Sequence, residues 1–135
     1  MIVREALVAD PRVLRADAPA REVAAVLARP QVVHVLVTDG DRFVGSIGED
    51  SIVAAVAEDR DVRQLTARDL ADPDVPAVHP DTPLDEALVL MAQHGLERVA
   101  VVEDGRLLGV LPREPVVRRL AEDDPTPAPE GAEES

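Results

Sequence analysis

Residues 79–120 read HPDTPLDEALVLMAQHGLERVAVVEDGRLLGVLPREPVVRRL, and this stretch carries the plan of the molecule. Thr82-Pro83 predicts a helix start. Threonine suits the cap, proline suits the first helical position, and Asp85 follows three residues after the cap. Leu84, Ala87, Leu88, Met91 and Ala92 recur at helical spacing as far as His94, and Gly95 ends the run. Residues 98–102 are a β-rich run, Asp104-Gly105 is a hairpin turn, and residues 106–111 return. A closing helix covers residues 113–122, and a short extended piece at 76–79 precedes the whole. The unit is strand, helix, strand, strand, helix.

The same unit occurs earlier in the chain. Shifted by 64 residues, positions 13–59 lie on 77–123 without a gap, and twelve positions are identical. Among them are Asp17/Asp81, Pro19/Pro83, Val35/Val99, Val37/Val101, Arg42/Arg106, Gly45/Gly109 and Val53/Val117. Two copies that each leave an apolar face open predict a closed pseudo-symmetric pair, not a solenoid. The first copy places helices at 19–29 and 49–58, strands at 33–38 and 42–47, and a turn at 39–41. Ala18 stands where Thr82 caps the second copy, so this helix start is expected to be weaker by about 1 kcal/mol. Residues 60–74 connect the copies, with one capped helical turn at 66–69. Ala9-Asp10-Pro11 and Ala71-Asp72-Pro73 match at an offset of 62, which implies two residues gained or lost in the leading loop. The chain thus divides into a first repeat with its leading segment (1–64), a second repeat with the connector (65–122), and an acidic, Pro-rich tail (123–135) expected to be disordered.

Composition narrows the function classes. A chain of 135 residues suits one compact module with a real core. Phe43 is the sole aromatic residue, so aliphatic side chains pack that core. The absence of Cys excludes disulfides, thiolate metal sites and cysteine nucleophiles. A net charge of −13 repels phosphate backbones and anionic lipid, so neither nucleic acid nor membrane is an expected partner. With no long apolar run and no signal pattern at the start, the expected location is the cytoplasm. His34, His79 and His94 are scattered without a pairing motif, so no metal site is expected. No serine has an evident base beside it, so catalysis is not expected.

The stretch quoted above resembles the cystathionine-β-synthase-type domain, or CBS domain. The first copy resembles it through DAPAREVAAVLARPQVVHVLVTDGDRFVGSI at residues 17–47. The resemblance covers about residues 1–122. It implies a tandem pair, or Bateman module, of the α/β (α+β) class, in which two β-α-β-β-α repeats pack about a pseudo-twofold axis. It further implies a regulatory role, adenosine-type ligands such as AMP, ADP, ATP or S-adenosylmethionine in clefts between the repeats, and a flat homodimer. No cofactor is required.

The resemblance also points to ligand positions. A residue on the first strand meets the base, here Val13 and Ala77; a basic residue opening the second strand reaches phosphate, here His34 and Arg98, with Ala100 beside it. A Gly-x-x-Thr-x-x-Asp signature holds the ribose, and this chain departs from it twice. The first copy runs from Gly45 with Gly48 for Thr and Ser51 for Asp; the second runs from Gly109 with Pro112 and Pro115 at those places. Proline offers neither a side-chain acceptor nor a backbone donor. The leading expectation is a stand-alone regulatory pair that binds an AMP-like ligand in preference to ATP and signals to a partner protein by a conformational or dimer change. The competing expectation, from the same losses, is a dimerisation scaffold without a nucleotide site.

Overall fold

The computed structural model describes residues 1–10 and 12–122, so the tail expected to be disordered lies outside the described residues. Six strands form one sheet in the order β1-β2-β3-β6-β5-β4. The first repeat contributes β1 (Leu14–Arg15), α1 (Ala20–Leu27), β2 (His34–Asp39), β3 (Arg42–Gly48) and α2 (Glu49–Ala57). A short α3 (Ala67–Leu70) lies in the connector. The second repeat contributes β4 (Ala77–Val78), α4 (Leu84–His94), β5 (Arg98–Glu103), β6 (Arg106–Pro112) and α5 (Arg113–Glu122). The α+β class and the tandem architecture are as the sequence predicts.

The pseudo-twofold axis has a definite place. Arg42 pairs with Arg106, its own counterpart, where β3 meets β6. The Phe43 amide donates to the Gly105 carbonyl at 2.8 Å, and the Leu107 amide donates to the Asp41 carbonyl at 2.9 Å. Each bond is the image of the other under the 64-residue shift.

Each repeat borrows its flank from the far side of the chain. Val3, fully buried, joins the core of the second repeat with Leu84, Met91, Val101 and Leu111. Ala67 and Leu70 of the connector join the core of the first with Val23, Val35, Val37 and Ile47. The bridges repeat faithfully: Ile2 with Pro83 answers Thr66 with Pro19, and Val8 with Val110 answers Asp72 with Ser46. The division of the chain at 64/65 is therefore crossed by the packing in both directions.

These bridges correct the expected gap in the leading loop. The shift of 64 holds before it, at Val8/Asp72, and after it, at Leu14/Val78, whose partners are Val37 and Val101. No residue was gained or lost. The 62-residue match records a turn set two residues later in one copy: Asp10 accepts from the Arg12 amide at 3.0 Å, and Asp72 accepts from the Asp74 amide at 2.9 Å.

The expected cap is corrected as well. The α4 N-cap falls on Pro83, and neither α1 nor α4 receives a side-chain cap. The borrowed flanks do this work through backbone. The Leu84 amide donates to the Met1 carbonyl and the Ala20 amide to the Leu65 carbonyl, both at 3.1 Å. Ala18 therefore costs the first helix nothing relative to Thr82. In the connector, Asp69 accepts from the Thr66 amide and hydroxyl, and these bonds hold its carboxyl below the usual carboxylate range.

Helix α1 stops at Leu27, earlier than its counterpart and earlier than expected. Pro30 stands where α4 has His94, and the residue before a proline avoids helical geometry. Gln31 then takes φ 71°, where Gly95 takes φ 62° in the second copy. A side chain in the left-handed region costs about 1 kcal/mol. Gln31→Gly is expected to stabilise the protein by about that amount, read as a higher midpoint in urea; an unchanged or lower midpoint refutes it.

Candidate ligand-binding clefts

The proposed ligand positions fall into two groups, one per repeat. In the first, β2 and β3 pair His34 with Gly48, which puts the imidazole over the glycine. A Cβ on residue 48 would stand 2.7 Å from His34 Cδ2 and 2.8 Å from Asp50 Oδ1. The His34 and Asp50 side chains thus occupy the space that a side chain at residue 48 would take. Ser51 Oγ accepts from the Gly48 amide at 3.2 Å, so this hydroxyl closes the first turn of α2. Asp50 was not singled out from the sequence. It sits one residue before the signature position and brings a carboxylate beside Gly48. Val13, half-buried, precedes β1.

Asp50 and Ser51 also line a groove of about 340 Å³, whose far wall is Asp69, Asp72 and Pro73 of the connector. Glu58 adds a further carboxylate to the lining and Arg60 is its one cation. The groove is acidic, and its volume lies within the range of small-molecule sites.

In the second repeat, Ala77 pairs with Ala100 and Ala100 with Val110, forming a small-residue row across three strands. Arg98 pairs with Pro112 at the foot of α5. Its guanidinium is engaged: Nη2 lies 3.1 Å from Asp10 Oδ1, a carboxylate only 5% exposed. Asp10 and its neighbour Arg12 are residues the sequence reading missed. They stand nearly ninety positions from Arg98, and no spacing rule joins them.

Gly45 and Gly109 have a structural reason for being identical. A Cβ on Gly45 would overlap the Asp72 carbonyl, and one on Gly109 would overlap the Val8 carbonyl. These glycines admit the crossing flanks.

Another cluster lies at the opposite end of the strands. His79, Asp81 and Glu103 each place a ligand atom within 4.8 Å of the others, so His79 is less isolated than the sequence suggests. Arg4 already stands on both carboxylates, 3.1 Å from Asp81 and 3.8 Å from Glu103. In the first copy Arg15 takes the place of His79 and Arg68 that of Arg4. Arg15 forks onto Asp17 at 3.0 and 3.2 Å, and this hydrogen bonding lowers the Asp17 carboxyl and raises the Arg15 guanidinium. Both clusters are cation–carboxylate clasps that tie a borrowed flank to a hairpin. Arg68 does this on Asp39 in the first copy.

With this geometry in view, the comparisons with known proteins are decisive for kinship. The CBS domain profile matches residues 3–58 and again 67–122. The chain belongs to the CBS domain family. The uncharacterized protein MK0525 of Methanopyrus kandleri is 29% identical over 86 residues, covering 62% of this chain and 44% of that protein. The chain spans about half the length of the curated relatives it matches. Among solved structures, CBSX2 in complex with AMP superimposes with a TM-score of 0.71 at 22% identity, over 90% of this chain and 96% of that one. The CBS domain pair of MJ0100, in complex with 5'-methylthioadenosine and S-adenosyl-L-methionine, gives 0.65 at 23% identity, over 92% and 98%. These similarities establish the CBS-pair fold. Among the described residues, no helix is long and apolar enough to cross a membrane.

Proposed function

We propose that this CBS pair is a regulatory, non-catalytic module that binds an adenosine-type ligand carrying at most one phosphate, with the nucleoside held in the first cleft. The observation that carries this reading is the meeting of His34, Asp50 and Ser51 around Gly48 beside an open groove. The carboxylate that the family uses for ribose hydroxyls is displaced by one residue, to Asp50. A carboxylate accepts two hydroxyl bonds, and the Ser51 hydroxyl has a proton left to donate. The AMP of CBSX2 and the thioether nucleosides of MJ0100 support the ligand class. The acidic lining disfavours a triphosphate, whose charge would meet a repulsive field.

Binding would bias the packing of the pair, or of a homodimer, toward one of two populations. Val53 and Val117, identical and exposed at equivalent places on α2 and α5, give such a dimer an apolar contact.

A thermal-shift and calorimetry panel of AMP, ADP, ATP and S-adenosylmethionine tests the reading, with mass followed by light scattering. AMP or S-adenosylmethionine at a hundred times Kd should stabilise the fold by about 2.7 kcal/mol, and ATP should do so less. Asp50→Asn should weaken binding by about 1–3 kcal/mol. No stabilisation by any member at millimolar concentration sinks the proposal.

A further inference from the structure

The second group of ligand positions contains its own anion. The Asp10 carboxylate is 5% exposed, and three donors of two arginines face its Oδ1. They are the Arg12 amide at 3.0 Å, Arg98 Nη2 at 3.1 Å and Arg12 Nε at 3.9 Å. One carboxylate between two guanidiniums leaves a positive charge over. That surplus has an address: Arg12 Nε is buried and has no hydrogen-bond partner among the described residues. In a chain with net charge −13, such a place is an exception. Guanidinium groups match the oxygens of phosphate or carboxylate through paired, charge-assisted bonds.

Asp10 also has a mechanical position. Val8 is bridged to Val110 in the second repeat, and Leu14 pairs with Val37 in the first. The chain is thus fastened to the second repeat at Val8 and to the first at Leu14, a strap between the repeats with the buried Asp10 carboxylate between its two attachments.

We propose that Asp10 is an internal occupant of an oxyanion subsite formed by Arg12 and Arg98, and that a phosphate-sized anion entering the second cleft displaces it and loosens the strap between the repeats. The incoming oxygens take the Arg98 bond and meet the unpartnered Arg12 Nε. The released carboxylate turns to water. The ligand class is an oxyanion, either free phosphate or the phosphate group of a monoester. The subsite is separate from the groove of the first repeat. Inorganic phosphate has no nucleoside for Asp50 and Ser51 to hold, so failure here leaves the proposed function standing.

The experiment is calorimetric titration with inorganic phosphate at fixed ionic strength, on wild type, Asp10→Asn and Arg98→Ala. Removal of the competing carboxylate should tighten phosphate binding about tenfold or more. Arg98→Ala should abolish it. Equal affinity of wild type and Asp10→Asn overturns the proposal, and so does binding that survives Arg98→Ala. If Asp10→Asn does not fold, the wild type decides by NMR: phosphate shifts the amides of Arg12 and Val110 together, and chloride at the same ionic strength shifts neither. Absence of those shifts overturns it. A parallel AMP titration separates the sources. AMP that binds more tightly than phosphate with the same Asp10 dependence identifies a monoester, and equal affinities identify the free anion.

Discussion

A chain that begins at Ala9 is expected to lose the second repeat. The eight residues removed contain Val3, whose full burial is worth about 1.5–3 kcal/mol. They also supply the Met1 carbonyl to α4, donate Val3 and Arg4 amides to the Thr82 and Pro80 carbonyls, and exchange both bonds between Val8 and Val110. At about 0.5–1.5 kcal/mol each, these bring the loss to about 5 kcal/mol or more, comparable with the whole stability of many domains. The Arg4 clasp on Asp81 and Glu103 is exposed and adds little. Hydrogen exchange should show the amides of β4, β5 and β6 unprotected while β2 and β3 keep protection. A truncated chain with an unchanged denaturation midpoint would refute this account.

The other large effect is expected at the paired glycines. Gly109→Ala sets a methyl group against the Val8 carbonyl, and Gly45→Ala does the same against Asp72. A backbone carbonyl held in a bridge cannot swing aside as a side-chain tip does. Each substitution should cost about 1–3 kcal/mol, or roughly 4–12 °C in Tm. The control is Gly40, which has open space around a Cβ and a φ of +65°. Gly40→Ala should cost only the backbone strain, about 1 kcal/mol. If Gly45 and Gly109 tolerate alanine better than Gly40 does, the flanks do not press on them as described.

These two predictions mark where sequence reading reaches and where it stops. Strands and helices were legible because their signals are local: β-rich runs at residues 33–38 and 98–102, helical spacing from Leu84 to Met91, and Asp104-Gly105 at the hairpin. The duplication was legible because it is a comparison of the chain with itself. Helix capping was not, because the acceptors at Met1 and Leu65 are backbone carbonyls with no side-chain signature. The Asp10–Arg98 pair was not, because proximity across the second cleft depends on where the leading segment crosses. Asp50 escaped for a narrower reason: the signature was compared position by position, and this carboxylate stands one residue before the place of its Asp. Gly45 and Gly109 were read as ligand positions; the structure explains their identity by packing.

The borrowed flanks also set an order of events on the ribosome. Residues 14–72 hold every part the first repeat needs, so it can close soon after they emerge. The second repeat needs Val3 and Val8, which are made first and used last. Until residues 77–112 appear, that segment waits with Val3 and Leu7 uncovered.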